Sequence, residues 1–309
     1  MGKFDSHDLS RPISIPLATR LWTRARIFIG RRFSPRGALR WACLWRRIEL
    51  WMHPRRRWRL TILMKRLLPP GVTRREAYRL ALASRAVRRV GGHTFSPVSR
   101  RSRKWLLETL RPEGLEHLEA VRQAGRGAIV LSTHSGMNAW VGPVLLGLGY
   151  PVRLMQRTSI SAEKYLLFRD NGWIDRVLPY PDPANSGPHL KRLLEFVRQG
   201  QWVQHVATAR RPTAGLSGDF LGRQISASPA AWALARLSGA PALPAFVLAD
   251  ADLRPRLVVG EPLTVAADGP APAAVEKAFL AYLKFVTDRL AAEPWNVSLL
   301  DWWMHGSAQ

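Results

Sequence analysis

The chain has one cysteine in 309 residues, Cys43. A single cysteine excludes an intramolecular disulfide framework and any cysteine-cluster metal site, and it fits a reducing compartment. Acidic residues are scarce too, 22 Asp and Glu against 47 Lys and Arg, for a formal charge of +25. No stretch approaches the roughly 18 apolar residues that a membrane-spanning helix needs. The first twenty residues carry Asp5, His7, Asp8, Arg11 and two prolines, with no apolar core, so no secretory signal is expected. The phosphate loop, the G-x-G-x-x-G turn, H-E-x-x-H and the G-x-S-x-G elbow are all missing. The eight histidines never pair at ligand spacing with a third ligand nearby, so no metal is expected.

What is present is a foldable composition. It is 47% hydrophobic and 22% charged, which excludes a disordered chain, a collagen-like repeat and a long coiled coil. The length suits one large domain or two small ones.

The positive charge is concentrated. Residues 1–110 hold 27 Lys and Arg and five acids (Asp5, Asp8, Glu49, Glu76, Glu108), whereas the remaining 199 hold 20 bases and 17 acids. Such an excess calls for an anionic partner: lipid headgroups, nucleic acid or an acidic carrier protein. Within this third, Trp41, Leu44, Trp45, Ile48, Trp51 and Met52 recur at helical spacing, with Arg40, Arg46 and Arg47 mostly on the flanks. A Trp- and Arg-bearing stripe reads as a helix in a membrane interface. It reads equally as a helix packing that stripe on the body of its own protein. No recognised nucleic-acid motif accompanies the charge, so no specific nucleic acid is expected.

Helical patterns occupy about 20–110, broken at Ser34-Pro35, His53-Pro54, Pro69-Pro70 and Gly91-Gly92. Thr73-Arg-Arg-Glu76 reads as a capping box. From about 113 the texture changes. Short apolar strands near 128–132, 151–155, 174–178, 201–206, 242–248 and 257–259 alternate with helices near 113–124, 161–171, 187–199, 228–238 and 272–292. That alternation predicts an α/β fold with a mainly parallel central sheet flanked by helices, preceded by a basic helical N-terminal region. The expected divisions are a loose tail over 1–20, a basic helical membrane-facing region over 21–110 and the α/β domain over 111–309.

One histidine stands out by position. His134 follows a buried strand directly, in Leu131-Ser-Thr-His-Ser-Gly-Met-Asn138. Ligands of open α/β sheets bind beyond the carboxyl ends of strands, and a histidine there is placed to act as a base. It can equally be an ordinary histidine capping the next helix. Gly136 is expected to let backbone approach a substrate.

The segment from Glu113-Gly-Leu-Glu-His-Leu-Glu through Gly125-Arg-Gly-Ala-Ile-Val-Leu-Ser-Thr-His-Ser-Gly-Met-Asn resembles the start of the lysophospholipid acyltransferase superfamily. Its nearest likeness is the bacterial lipid A biosynthesis (lauroyl/myristoyl) branch. The resemblance runs on in order through Arg157, Arg169 with Gly172, Phe220-Leu-Gly-Arg223, Pro229 to Ala235, Ser238-Gly-Ala-Pro241, Leu243-Pro-Ala-Phe246, Glu261-Pro262 and Pro294-Trp295 to His305. It covers roughly 105–305. It implies an acyltransferase with His134 as general base, Arg157 and Arg169 holding phosphate groups, and Gly222 and Arg223 binding acceptor or donor. No cofactor is implied. The donor would be an acyl thioester of acyl carrier protein or coenzyme A, and the acceptor a lipid or glycolipid. The place implied is the cytoplasmic face of a bacterial inner membrane, as a peripheral or monotopic protein touching anionic lipids.

The chain departs from that family at two acids. The motif is H-x4-D/E, and the acidic position here is Ala139. A later Asp-Gln aligns with Thr208-Ala209. Asn138, as an amide that orients the ring, and Asp219, just before Phe220, are the substitutes the sequence offers. The same departures open a second expectation: a catalytically degenerate member that binds lipid or acyl chains as a partner or regulator of another biosynthetic enzyme.

Overall fold

Local signals set the helix boundaries. Ser34 accepts the Gly37 N–H on its hydroxyl at 3.0 Å, and Pro35 occupies the first turn, where its missing N–H costs nothing. Helix α1 (Pro35–Met52) starts there and stops at His53, ahead of Pro54. Helix α2 (Pro54–Leu67) follows, and the prolines at 69 and 70 end it. Thr73 caps helix α3 (Arg74–Val90) by accepting the Glu76 N–H at 3.2 Å. The computed structural model describes residues 3–5, 16–18, 20–21, 24–25, 34–90, 103–156, 159–180, 186–207, 215–299 and 302.

Beyond α3 come α4 (Arg103–Leu110) and α5 (Leu115–Gln123). A short strand, β1 (Lys3–Asp5), belongs to a separate two-stranded sheet. The central sheet begins with β2 (Ala128–Ser132), fully buried along its length, as a strand covered on both faces should be. Helix α6 (Val141–Gly147) leads to β3 (Val152–Gln156), then β4 (Ser159–Ser161), which pairs with β1. Helix α7 (Ala162–Asp170), β5 (Val177–Pro179), α8 (Ser186–Arg198) and β6 (Trp202–Val206) follow. The chain then makes the hairpin β7 (Leu216–Asp219) and β8 (Gln224–Ala227), helix α9 (Ala230–Ser238), strands β9 (Ala242–Ala249) and β10 (Pro255–Val259), and the long helix α10 (Ala271–Ala292).

The six-stranded order is β10-β9-β2-β6-β3-β5. All neighbours are parallel except the edge strand β10, which runs antiparallel to β9. The fold is therefore mixed α/β with a mostly parallel central sheet flanked by helices. Alternate residues of the strands feed two apolar layers. Val130, Val152, Leu154, Trp202 and Val247 pack with residues of α1, α3, α4, α6 and α7. Ile129, Leu131, Val203, Phe246 and Val258 pack with α8, α9, α10 and the β7–β8 hairpin.

The basic helices share the first of these layers, because Ala38, Leu39 and Ala42 of α1 and Ala86, Val87 and Val90 of α3 lie in the same cluster as β2. Packing is thus continuous across position 110. Helix α1 packs through those small residues, and the stripe identified from sequence points the other way. Trp51 is 74% exposed, Leu44 58% and Trp45 53%, and Trp58 of α2 joins them at 56%. Trp41 and Trp45 stack on each other, with centroids 6.1 Å apart. The expectation that the stripe packs on the body does not hold. Among the described residues, no helix is long and apolar enough to cross a membrane.

Two further elements differ from expectation. The segment expected as a strand over 174–178 opens as a tight turn, Ile174–Arg176, before β5. The β7–β8 hairpin lies where no strand was expected. Its two-residue loop places Leu221 at φ 55° and Gly222 at φ 75°. Both residues are left-handed, as the favoured hairpin turn requires.

Candidate active site at the carboxyl edge of the sheet

Chain direction locates the crevice. After β2 the chain turns to the first helical layer, through α6, while after β6 it turns to the second, through the hairpin and α9. Strands β2 and β6 are neighbours, with Ser132 opposite Val206. Their carboxyl ends therefore part the chain to opposite faces, which is the switch point where open α/β sheets bind ligands. His134 stands two residues beyond β2, at this opening, and is half-buried.

The loop carrying His134 is fixed by backbone bonds on both sides. Ser132 C=O accepts the Ala207 N–H at 2.8 Å and the Tyr282 hydroxyl at 3.0 Å. The Gly136 N–H donates to Asn296 C=O at 2.7 Å, and the Met137 N–H to Val247 C=O at 2.8 Å. Asn296 is itself buried. Its side chain accepts the Ala249 N–H at 2.8 Å and donates to Ala249 C=O at 2.9 Å and to Glu293 at 3.0 Å. Gly136 is thus held against β9: it has φ 61°, and a Cβ there would lie 2.6 Å from the Val247 oxygen. This packing and the left-handed φ by themselves require a glycine at this position.

Asn138 opens a tight turn, Asn138–Trp140, and its C=O accepts the Val141 N–H. Asn138 and Ala139 are both half-buried. Asp219 is exposed, and its carboxylate accepts the Gly222 N–H at 3.2 Å, which fixes the hairpin turn. Phe220 and Arg223 close that turn with reciprocal backbone bonds of 2.8 and 3.2 Å. The Arg223 guanidinium lies 4.6 Å from the Trp302 ring centroid, a cation–π pairing. Arg169 lies in the last turn of α7, 5.7 Å from the Tyr165 ring centroid and 3.5 Å from the Asp170 carboxylate. Gly172, at φ 69°, terminates the helix by donating to Arg169 C=O. The R-x-x-G spacing therefore coincides with a helix cap. Arg157, like Thr208-Ala209, lies outside the described residues.

Two further groups went unnoticed in the sequence. His205 is the fourth residue of β6, directly opposite Leu131. Its ring meets Tyr180 edge-on at 5.8 Å. Burial drives its pKa down to about 4, while a hydrogen bond with the Val206 backbone pulls weakly the other way. It is therefore neutral at physiological pH. Burial also lowers the pKa of Lys164 of α7 to about 7. The signal for His205 was its place near the carboxyl end of a strand, but only the pairing of β6 with β2 gives that place meaning. Among the described residues no group of three His, Cys, Asp or Glu is arranged to hold a metal ion. Compared with known proteins, the chain matches no protein-family model and no curated protein.

Proposed function

We propose that the chain is an acyltransferase that moves a fatty acyl group from a thioester donor to a lipid or glycolipid acceptor at a membrane surface. The observation that carries this reading is the position of His134 at the carboxyl end of β2, in the switch-point crevice. In the proposed step, His134 takes the proton of an acceptor hydroxyl or amine as its oxygen or nitrogen attacks the thioester carbonyl. The tetrahedral intermediate collapses with loss of the thiolate, to which the imidazolium passes the proton it took from the acceptor. The ester or amide and a free thiol are the products.

The donor is acyl carrier protein or coenzyme A carrying the acyl chain. Arg157, Arg169, Gly222 and Arg223 would contact its phosphates or those of the acceptor, as the family resemblance implies. Asn138, four residues on from His134, is the group we assign to orient the imidazole. The exposed tryptophans of α1 and the charge of α1–α3 favour an anionic membrane surface as the place of action, and the family resemblance implies the cytoplasmic face of an inner membrane.

A second reading is a non-catalytic lipid-binding member of the same family. Ala139 in the place of the usual acid favours it, and so does the employment of Asp219 in a turn. The two readings part in a transfer assay. Purified protein in mixed micelles is offered labelled acyl-carrier-protein and acyl-coenzyme A donors, with lysolipid and glycolipid acceptors. Loss of the general base should lower the rate of His134→Ala by about 10²–10⁴-fold. Transfer that survives this change refutes the site assignment. Acyl-chain binding without transfer, by wild type, moves the protein to the second reading.

A further inference from the structure

Arginines from three helices gather along the flank of α1. Glu49 accepts hydrogen bonds from Arg46 of its own helix and from Arg56 of α2, the latter at 2.8 Å. Burial, and then the positive charges of Arg85 and Arg89 of α3 and of Arg56, bring the pKa of Arg46 down to about 10 despite the ion pair. Arg85 is lowered in the same way, by burial and by Arg56 and Arg88. Arg88 donates to the Ser298 hydroxyl, just beyond the segment that buttresses the His134 loop. The Nε atoms of Arg46 and Arg85 are buried and bond no acceptor.

Glu49 is the carboxylate bonded to this cluster among the described residues. Gathering the guanidinium groups of Arg46, Arg56, Arg85 and Arg89 around the one carboxylate that the described residues offer them is unfavourable unless a further anion joins them. Guanidinium forks match phosphate oxygens two at a time, and a phosphomonoester brings nearly two negative charges. The same helix α1 turns its exposed tryptophan face outward, so an anion bound here would sit beside a surface suited to a bilayer interface.

We propose that the cluster of Arg46, Arg56, Arg85 and Arg89 binds the phosphomonoester headgroup of a membrane amphiphile while the apolar face of α1 lies in the bilayer interface. This site is separate from His134 and stands whether or not the protein transfers acyl groups.

The test is co-sedimentation of the full chain with vesicles. Phosphatidylcholine vesicles carry either phosphatidate or phosphatidylglycerol, matched for surface charge. Wild type should bind the phosphatidate vesicles more tightly. Each arginine near the surface contributes about five-fold, so Arg46→Gln with Arg85→Gln should weaken that binding about 25-fold and abolish the preference. Lys104→Gln with Arg126→Gln removes the same charge from exposed positions elsewhere and should change binding by less than about two-fold. Should the double variant lose its circular-dichroism signature, the exposed Arg89→Gln carries the test, with about five-fold loss expected. Equal binding to the two vesicle types overturns the proposal. So does a control that loses as much as the cluster variant. Complete competition by millimolar inorganic phosphate reassigns the cluster to the free ion and also overturns it. An inactive protein that binds phosphatidate selectively leaves this proposal standing and the acyl-transfer reading fallen.

Discussion

Replacing Gly136 by alanine tests whether the loop bearing His134 is held as tightly as its geometry says. At φ 61° the new side chain pays the left-handed cost of about 1–2 kcal/mol. Alanine recovers about 0.4–1 kcal/mol through the narrower unfolded ensemble. The decisive contribution is steric. The Cβ would fall 2.6 Å from the Val247 oxygen and 2.7 Å from Leu248 Cδ2. The leucine can rotate, but the carbonyl cannot retreat without stretching its 2.8 Å bond from the Met137 N–H. Overpacking of this kind costs about 1–3 kcal/mol, for a total of about 2–4 kcal/mol. Gly222 supplies the internal control. Its φ is 75°, yet nothing lies within 4 Å of a Cβ built there, so Gly222→Ala should cost about 1 kcal/mol or less. Urea unfolding followed by tryptophan fluorescence measures both. Equal losses, or a Gly136→Ala loss below about 1 kcal/mol, would refute the claim that β9 clamps the loop. A Gly222→Ala protein of near-normal stability also isolates any part this turn plays in binding substrate.

His205 predicts a pH dependence whose sign follows from burial. Its folded pKa is near 4 against an ordinary 6.5, so between those values the unfolded chain binds the extra proton and stability falls as pH drops. His205→Phe should flatten the fall in urea midpoint across that window, and an unchanged slope would remove His205 as its source. Trp51 is 74% exposed, so Trp51→Ser should leave the thermal midpoint almost unchanged, within about 0.5 kcal/mol of stability. It should still weaken partition to anionic vesicles of either headgroup. Undiminished partition would mean that this face of α1 does not enter the interface.

Much of the framework was legible because it is written locally. Ser34-Pro35, His53-Pro54 and Thr73 to Glu76 bound the helices by capping and by proline geometry, and the apolar run at Ala128–Ser132 could only be a strand buried on both faces. Periodicity also found the stripe of α1. It could not say which way the stripe faces, because an outward apolar face and an inward one have the same spacing. Only the small residues Ala38 and Ala42, packed under α3, settle that. The hairpin was missed because its strands are four residues each and its left-handed turn begins with Leu221, where glycine or asparagine would have announced it.

The site divides along the same line. That a histidine ends a buried strand is a statement about adjacent residues, and Leu131 to His134 makes it unaided. What surrounds that histidine depends on strand order, which no local pattern encodes. Strand β6 enters the sheet between β2 and β3, although it follows β5 in the chain, and this insertion brings His205 opposite Leu131. The arginine cluster is non-local in the same sense. Its members are spread from position 46 to position 89, and in sequence they are indistinguishable from the other cations of a basic region. Folding three helices together turns a dispersed charge excess into a local one. A local excess has a chemical complement, and that step leads from a net charge to a phosphate site.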